Sequence, residues 1–243
     1  MEDKSICQTT TMDVLPDKPN TTSLQNTEWL VLLILGASQR GDVSLIKSFE
    51  ADETNLKEMF RSFGLTLIVC KEFTASEIIN TIDDILTQNE SIRENFLLIF
   101  IGYGDRYGIR DCHFQFIDFQ VIINAVTERE KLKGKNKLFM MDTILPADLF
   151  EHRKKEEIYG QESDTLIAIA SIPESISVRG SEGTLPVIKT SEIFRKHFRE
   201  EDVSSMMLRV NYEMRDICKN EGYLESPGEL LLLLSRLVKL SIG

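Results

Sequence analysis

An α/β fold, a mostly parallel sheet with helices on both faces, is what this 243-residue chain predicts. Three observations carry the expectation. Short apolar runs with no polar alternation, Trp29–Leu35, Phe96–Ile101 and Leu138–Met141, read as strands covered on both faces. Between them lie segments with apolar residues at helical spacing, opened by capping residues. Strand and helix alternate at intervals that suit right-handed crossovers between parallel strands.

Residues 1–27, rich in Thr, Asp, Asn and Pro and without periodicity, are expected to be a disordered N-terminal segment. It has no apolar core of the kind a signal peptide needs. Trp29–Leu35 is the first strand, bounded by Gly36, and the more polar Ser38–Ser48 follows as a loop. Asp52 then caps a helix to Phe63 whose apolar face is Leu56, Met59, Phe60 and Phe63, and Gly64 ends it. Leu65–Cys70 is the second strand. Thr74 and Glu77 form a capping box for a second helix that buries Ile78, Ile79, Ile82, Ile85 and Leu86. Phe96–Ile101 is the third strand and Phe119–Glu130 the third helix. The central strand, Leu138–Met141, leaves its apolar run abruptly at Asp142-Thr143, and the end of such a strand is where an α/β sheet presents its chemistry. Ala147–Ser163 is charged and aperiodic, an exposed loop. A strand at Leu166–Ala170, helices at Val187–Phe198 and Val203–Cys218 and a leucine-rich strand at Glu229–Ile242 complete the chain.

A formal net charge of −11 opposes nucleic-acid phosphates and anionic lipid, so neither is an expected partner. No apolar run is long enough to span a bilayer, and a cytoplasmic location is the expectation. Cys7, Cys70, Cys112 and Cys218 are scattered without metal-ligand spacing and read as reduced thiols; no metal or other cofactor is expected. Gly102-Tyr103-Gly104 is not a phosphate loop, since no lysine follows at the required spacing. Cys112 and His113 are the one neighbouring thiol–imidazole pair, and on a strand they would point to opposite faces. Cys70 reads as core, and neither His152 nor His197 has an evident thiol partner.

Several stretches together resemble the caspase family. Lys133–Asp142, KGKNKLFMMD, with Thr143-Ile144 after it, is similar to the segment K-P-K-L-F-x-x-Q-A-C-R-G. Asp52, Asn55, Leu56 and Phe60 resemble the family's first helix. SDTLIAIASIPESISVR, ending at Arg179, resembles D-F-L-x-A-x-A-T-x-P-G-x-x-S-x-R, and Leu208-Arg209-Val210-Asn211 resembles L-x-x-V-N. The matches run in order from residue 29 to 242. They imply a caspase-like three-layer sandwich whose C-terminal edge strand lies at a dimer interface. Residues 1–27 would then be a short prodomain-like segment, 28–145 a large-subunit-like part, 146–163 the intersubunit linker and 164–243 a small-subunit-like part.

In that register Tyr103 takes the place of the catalytic histidine and Ile144 that of the nucleophilic cysteine. A phenol with a reference pKa of about 10 is a poor acid or base at neutral pH. A sec-butyl group cannot attack a carbonyl, and loss of a nucleophile costs on the order of 10⁶ in turnover. Gly104 is retained and could still supply a backbone oxyanion donor. Of the pocket that holds a substrate aspartate, Arg179 is kept. Ile46 stands at the other arginine's place (Lys47 if the loop shifts), and Asp142 at the glutamine's. A carboxylate there would repel an incoming aspartate by about 4 kcal/mol at ~4 Å in an effective dielectric near ~20, unless it pairs with Arg179, which is the expected arrangement. Gly183-Thr184-Leu185-Pro186 replaces G-S-W-F in the substrate-facing strand, with a proline where a donor would be useful.

The last strand alternates, with Leu232, Leu234, Arg236 and Val238 on one side and Leu231, Leu233, Leu237 and Lys239 on the other. A long apolar edge is a liability unless paired, so a second protomer is expected to cover it. The resemblance thus implies a pseudo-caspase without catalysis that pairs with an active caspase in apoptosis signalling and activates it. The alternatives are an inhibitory decoy and, in another class, an active hydrolase using Cys112. Self-association is a further expectation. Asp148 and Asp164 are the candidate linker cleavage sites, with Asp13 and Asp17 in the tail.

Overall fold

The computed structural model describes residues 29–36, 43–71, 73–88, 94–145, 164–220 and 230–234. Its main strands are β1 (Trp29–Leu35), β2 (Leu67–Lys71), β3 (Asn95–Asp105), β6 (Asn136–Leu145), β7 (Thr165–Pro173) and β8 (Leu230–Leu234). They lie in the order β2-β1-β3-β6-β7-β8, all parallel except β8, which runs antiparallel to β7. A small hairpin, β4 (Gly108–Arg110) and β5 (Phe116–Asp118), branches from the end of β3. The helices are α1 (Val43–Ser62), α2 (Ala75–Gln88), α3 (Phe119–Thr127), the single turn α4 (Glu174–Ser177), α5 (Leu185–His197) and α6 (Val203–Asn220).

The unbroken apolar strands are explained by the two layers they separate. Val31, Leu33, Leu97, Ile99, Leu138 and Met140 face a core with α1, α5 and α6. The alternate residues, Leu32, Ile34, Leu98, Phe100, Phe139 and Met141, face α2 and α3. Both faces of each strand are therefore buried, and each fully buried Leu or Ile contributes about 1.5–3 kcal/mol.

The capping box forms as expected: Thr74 N–H donates to Glu77 Oε2 at 2.8 Å, and Glu77 N–H donates back to Thr74 Oγ1 at 3.3 Å. Gly64 closes α1 with φ +76, and Leu65 N–H donates to Phe60 O at 2.9 Å, the left-handed C-cap that glycine favours.

Several local expectations are corrected. The segment taken as a loop to Ser48 is helical from Val43, so Asp52 lies mid-helix rather than at an N-cap. Its buried stripe is Leu45, Ser48, Phe49, Asp52, Leu56, Met59 and Phe60; two polar members hide the helical period from a hydrophobicity reading. Gly102-Tyr103-Gly104 lies within strand, because β3 continues past Ile101 to Asp105. Cys112 and His113 occupy a turn, not a strand, between β4 and β5. The three-residue strands of that hairpin leave no periodic trace in sequence, so they went unanticipated. The third helix is shorter than predicted and gives way to a 3-10 turn at Glu130–Leu132.

Candidate functional site

The C-terminal ends of β3 and β6 are adjacent, and their register sets the site. Tyr103 is directly opposite Ile144 across the parallel pair, and Ile144 is opposite Ile172 of β7. The positions the resemblance gives to histidine and cysteine are thus brought together by pairing, and an apolar row fills them. Tyr103 and Ile144 are 2% and 1% exposed. The Tyr103 hydroxyl donates to Glu174 Oε1 at 3.3 Å, and its ring is 6.0 Å from that of Phe114. Phe114 is carried there by the 111–115 turn. Asp111 accepts from His113 N–H and Gln115 N–H, both at 2.8 Å, and from Ala75 N–H at 3.0 Å. The turn holds Phe114 at φ +60, a strained conformation for a bulky side chain. A sec-butyl group and a hydrogen-bonded phenol offer neither a nucleophile nor a base near neutral pH.

One row deeper, Asp142 is opposite Ile101 and Ala170. Burial and the neighbouring Asp52 carboxyl push its pKa up to about 8. Asp52 is raised to about 7, chiefly by burial, although its Oδ1 accepts Thr184 N–H at 2.7 Å. The expected Asp142–Arg179 ion pair does not form: among the described residues no cation pairs with Asp142, and the charge that reaches it is a second carboxyl. The two acids lie on the same side of the sheet because Asp142 shares the alternation of Leu138 and Met140, toward α1.

Arg179 belongs to a loop that α1 fastens down. Ser48 Oγ donates to Gly180 O at 3.0 Å, Asn55 Nδ2 to Glu182 O at 3.0 Å, and Asp52 receives Thr184 N–H. These three α1 residues follow helical spacing on one face. Gly183, at φ +110, lets this contact close; a Cβ there would meet Asp52 Oδ1 at 2.4 Å. Ile46 is two residues from Ser48, on another side of α1, and 37% exposed. The substrate-facing strand expected at Gly183–Pro186 is instead a single bridge, Val178 to Thr184, followed at once by α5. Pro186 lies in the first turn of that helix, where its missing N–H costs nothing. Sequence reasoning missed the Ser48–Asp52–Asn55 clamp, whose signal was the i, i+4, i+7 spacing of three polar residues.

Gly104 has a packing reason of its own: a Cβ there would stand 2.3 Å from Gly108 O in the β3–β4 hairpin. Cys112 is buried while His113 is exposed, so they do not form a dyad with each other. Burial pushes the Cys70 thiol up to about 11. Leu232 and Leu234 pair with Ala168 and Leu166 through the backbone of β8, which ends the strand order of the described sheet. Arg236, Val238, Asp148 and residues 1–27 and 146–163 lie outside the described residues. Asp164 immediately precedes β7; its carbonyl accepts Lys137 N–H at 2.8 Å, and the following Thr165 is 5% exposed. No described helix is long and apolar enough to cross a membrane.

No curated protein matches the chain closely enough to be named as a relative. The caspase domain family model matches residues 31–232, from inside β1 to inside β8. With more than half its length in that match and the sheet order above, the chain belongs to the caspase domain family.

Proposed function

We propose that the chain is a non-catalytic member of its family that regulates an active caspase by pairing with it. The observation that carries the reading is the closed apolar row at the ends of β3 and β6. Tyr103 and Ile144 are in register and buried, and they stand at the positions that the resemblance gives to the catalytic base and nucleophile. Asp142, at the position that the resemblance gives to the pocket's glutamine, adds to it, since this buried carboxyl has no described cation beside it and brings no positive charge to hold an aspartyl substrate. The position of β8, with Leu232 and Leu234, at the end of the sheet supports this edge as the pairing surface.

Pairing shifts the partner toward whichever conformation the shared interface prefers. We favour activation, because the pairing strand retains its apolar pattern while the substitutions fall in the cleft. The experiment is co-expression with candidate caspases, scored for co-purification and for the partner's turnover on aspartyl peptides. Raised turnover in the complex is expected. Lowered turnover would indicate an inhibitory decoy. Turnover by the isolated chain, lost on Cys112→Ala, would make it an unconventional hydrolase and overturn the proposal.

A further inference from the structure

Helix α6 carries two opposed stripes. Val203, Met207, Val210, Met214 and Cys218 are buried in the core. The outward stripe on the helix is Ser205, Leu208, Tyr212, Arg215 and Lys219, and Glu201, in the bend just before the helix, continues its alternating steps of four and three residues, the period of a helix-pairing seam. Its centre is apolar and open: Leu208 is 52% and Tyr212 77% exposed. Its start is acidic, at Glu201, which Arg209 Nε holds at 2.7 Å and His197 Nδ1 at 3.2 Å. Its end is basic, and neither Arg215 nor Lys219 has an ion pair among the described residues.

Reversed about its midpoint, this stripe matches itself. Leu208 meets Tyr212, Ser205 meets Arg215, and Glu201 meets Lys219, each contact occurring twice. Such self-complementarity is what a two-fold interface requires. We propose that the outer face of α6 binds a second copy of this chain, the two helices packing antiparallel. The groove between α5 and α6, of about 720 Å³ and lined by Ile193, Lys196, His197, Leu208 and the chain's own Tyr212 among others, is placed to receive the second copy's Tyr212 ring beside its own. Aromatic anchors set into such pockets carry most of the energy of small interfaces. One helix pair buries less than the ~1,200 Å² of a lasting complex, so the dimer is weak and concentration-dependent. The surface lies on a face of the sandwich, not at the β8 edge, and the proposal does not rest on the reading of that edge.

Sedimentation equilibrium of the full chain, from micromolar to near-millimolar concentration, tests it. The wild type is expected to show a monomer–dimer equilibrium. Glu201→Lys and Lys219→Glu each place like charges at both ends of the seam and weaken self-association by about tenfold. An equimolar mixture of the two variants recovers the dimer, because the lysines of one chain then face the glutamates of the other at both ends. That recovery also shows both variants to be folded. A wild type that stays monomeric throughout overturns the proposal. So does a dimer indifferent to both substitutions, which would place self-association elsewhere, or a mixture that pairs no better than its components.

Discussion

Replacing Asp142 with asparagine should stabilise the protein, and by an amount that grows with pH. The carboxyl is buried, has no cation against it, and faces a second acid, so its pKa rises from 3.8 to about 8. The folded chain therefore binds a proton that the unfolded chain has released. Stability from this group is fully present below pH 3.8 and is lost progressively as the pH rises toward 8. Each pH unit in that window costs about 1.4 kcal/mol, so by pH 7 the penalty is about 4 kcal/mol. Asparagine removes the titration but leaves a buried amide, at a cost of about 1–3 kcal/mol. The variant should thus be no more stable than wild type near pH 4 and more stable by about 2 kcal/mol above pH 7. Asp52, raised from 3.8 to about 7 chiefly by burial, contributes in the same direction as the pH rises toward 7. Urea unfolding from pH 4.5 to 8.5 reads the difference. Parallel stability curves for the two proteins would refute the reasoning. A wild type that gains stability with rising pH across this window would mean that Asp142 is ionised and paired, as an Arg179 contact would make it.

Three further outcomes follow from the same geometry. Asp52→Ala should cost about 1–3 kcal/mol by leaving Thr184 N–H without its acceptor, whereas Asp52→Asn keeps the acceptor and should be tolerated; urea unfolding at pH 7 separates them. Gly104→Ala should destabilise by about 2 kcal/mol or more through its contact with Gly108 O, with thermal unfolding as the measure. Incubation of the folded chain with an active caspase should leave the Asp164–Thr165 bond intact, because Asp164 O and the buried Thr165 are engaged at the start of β7; intact mass spectrometry would show a cut there if β7 opens readily.

The strands were legible because their signal is local. Trp29–Leu35 and Leu138–Met141 are apolar without interruption, and only a strand buried on both faces calls for that. The capping box at Thr74 and the glycine stop at position 64 are equally local, each decided within a few residues. The start of α1 was obscured by Ser48 and Asp52, polar residues in a buried stripe, which are recognisable as such only once the 179–184 loop is seen docked on them.

Sequence by itself determined which side chains occupy positions 103 and 144, and so that neither carries an imidazole or a thiol, whatever the fold does with them. Tertiary structure alone decided that the two are opposite one another, that Asp142 meets Asp52 instead of Arg179, and that the loop bearing Arg179 is clamped to α1. The physical reason is one of range. Residue type and short periodicity act within a turn or two of chain, whereas register, burial and the pKa of a carboxyl depend on groups brought together from 90 residues away, as with Asp52 and Asp142.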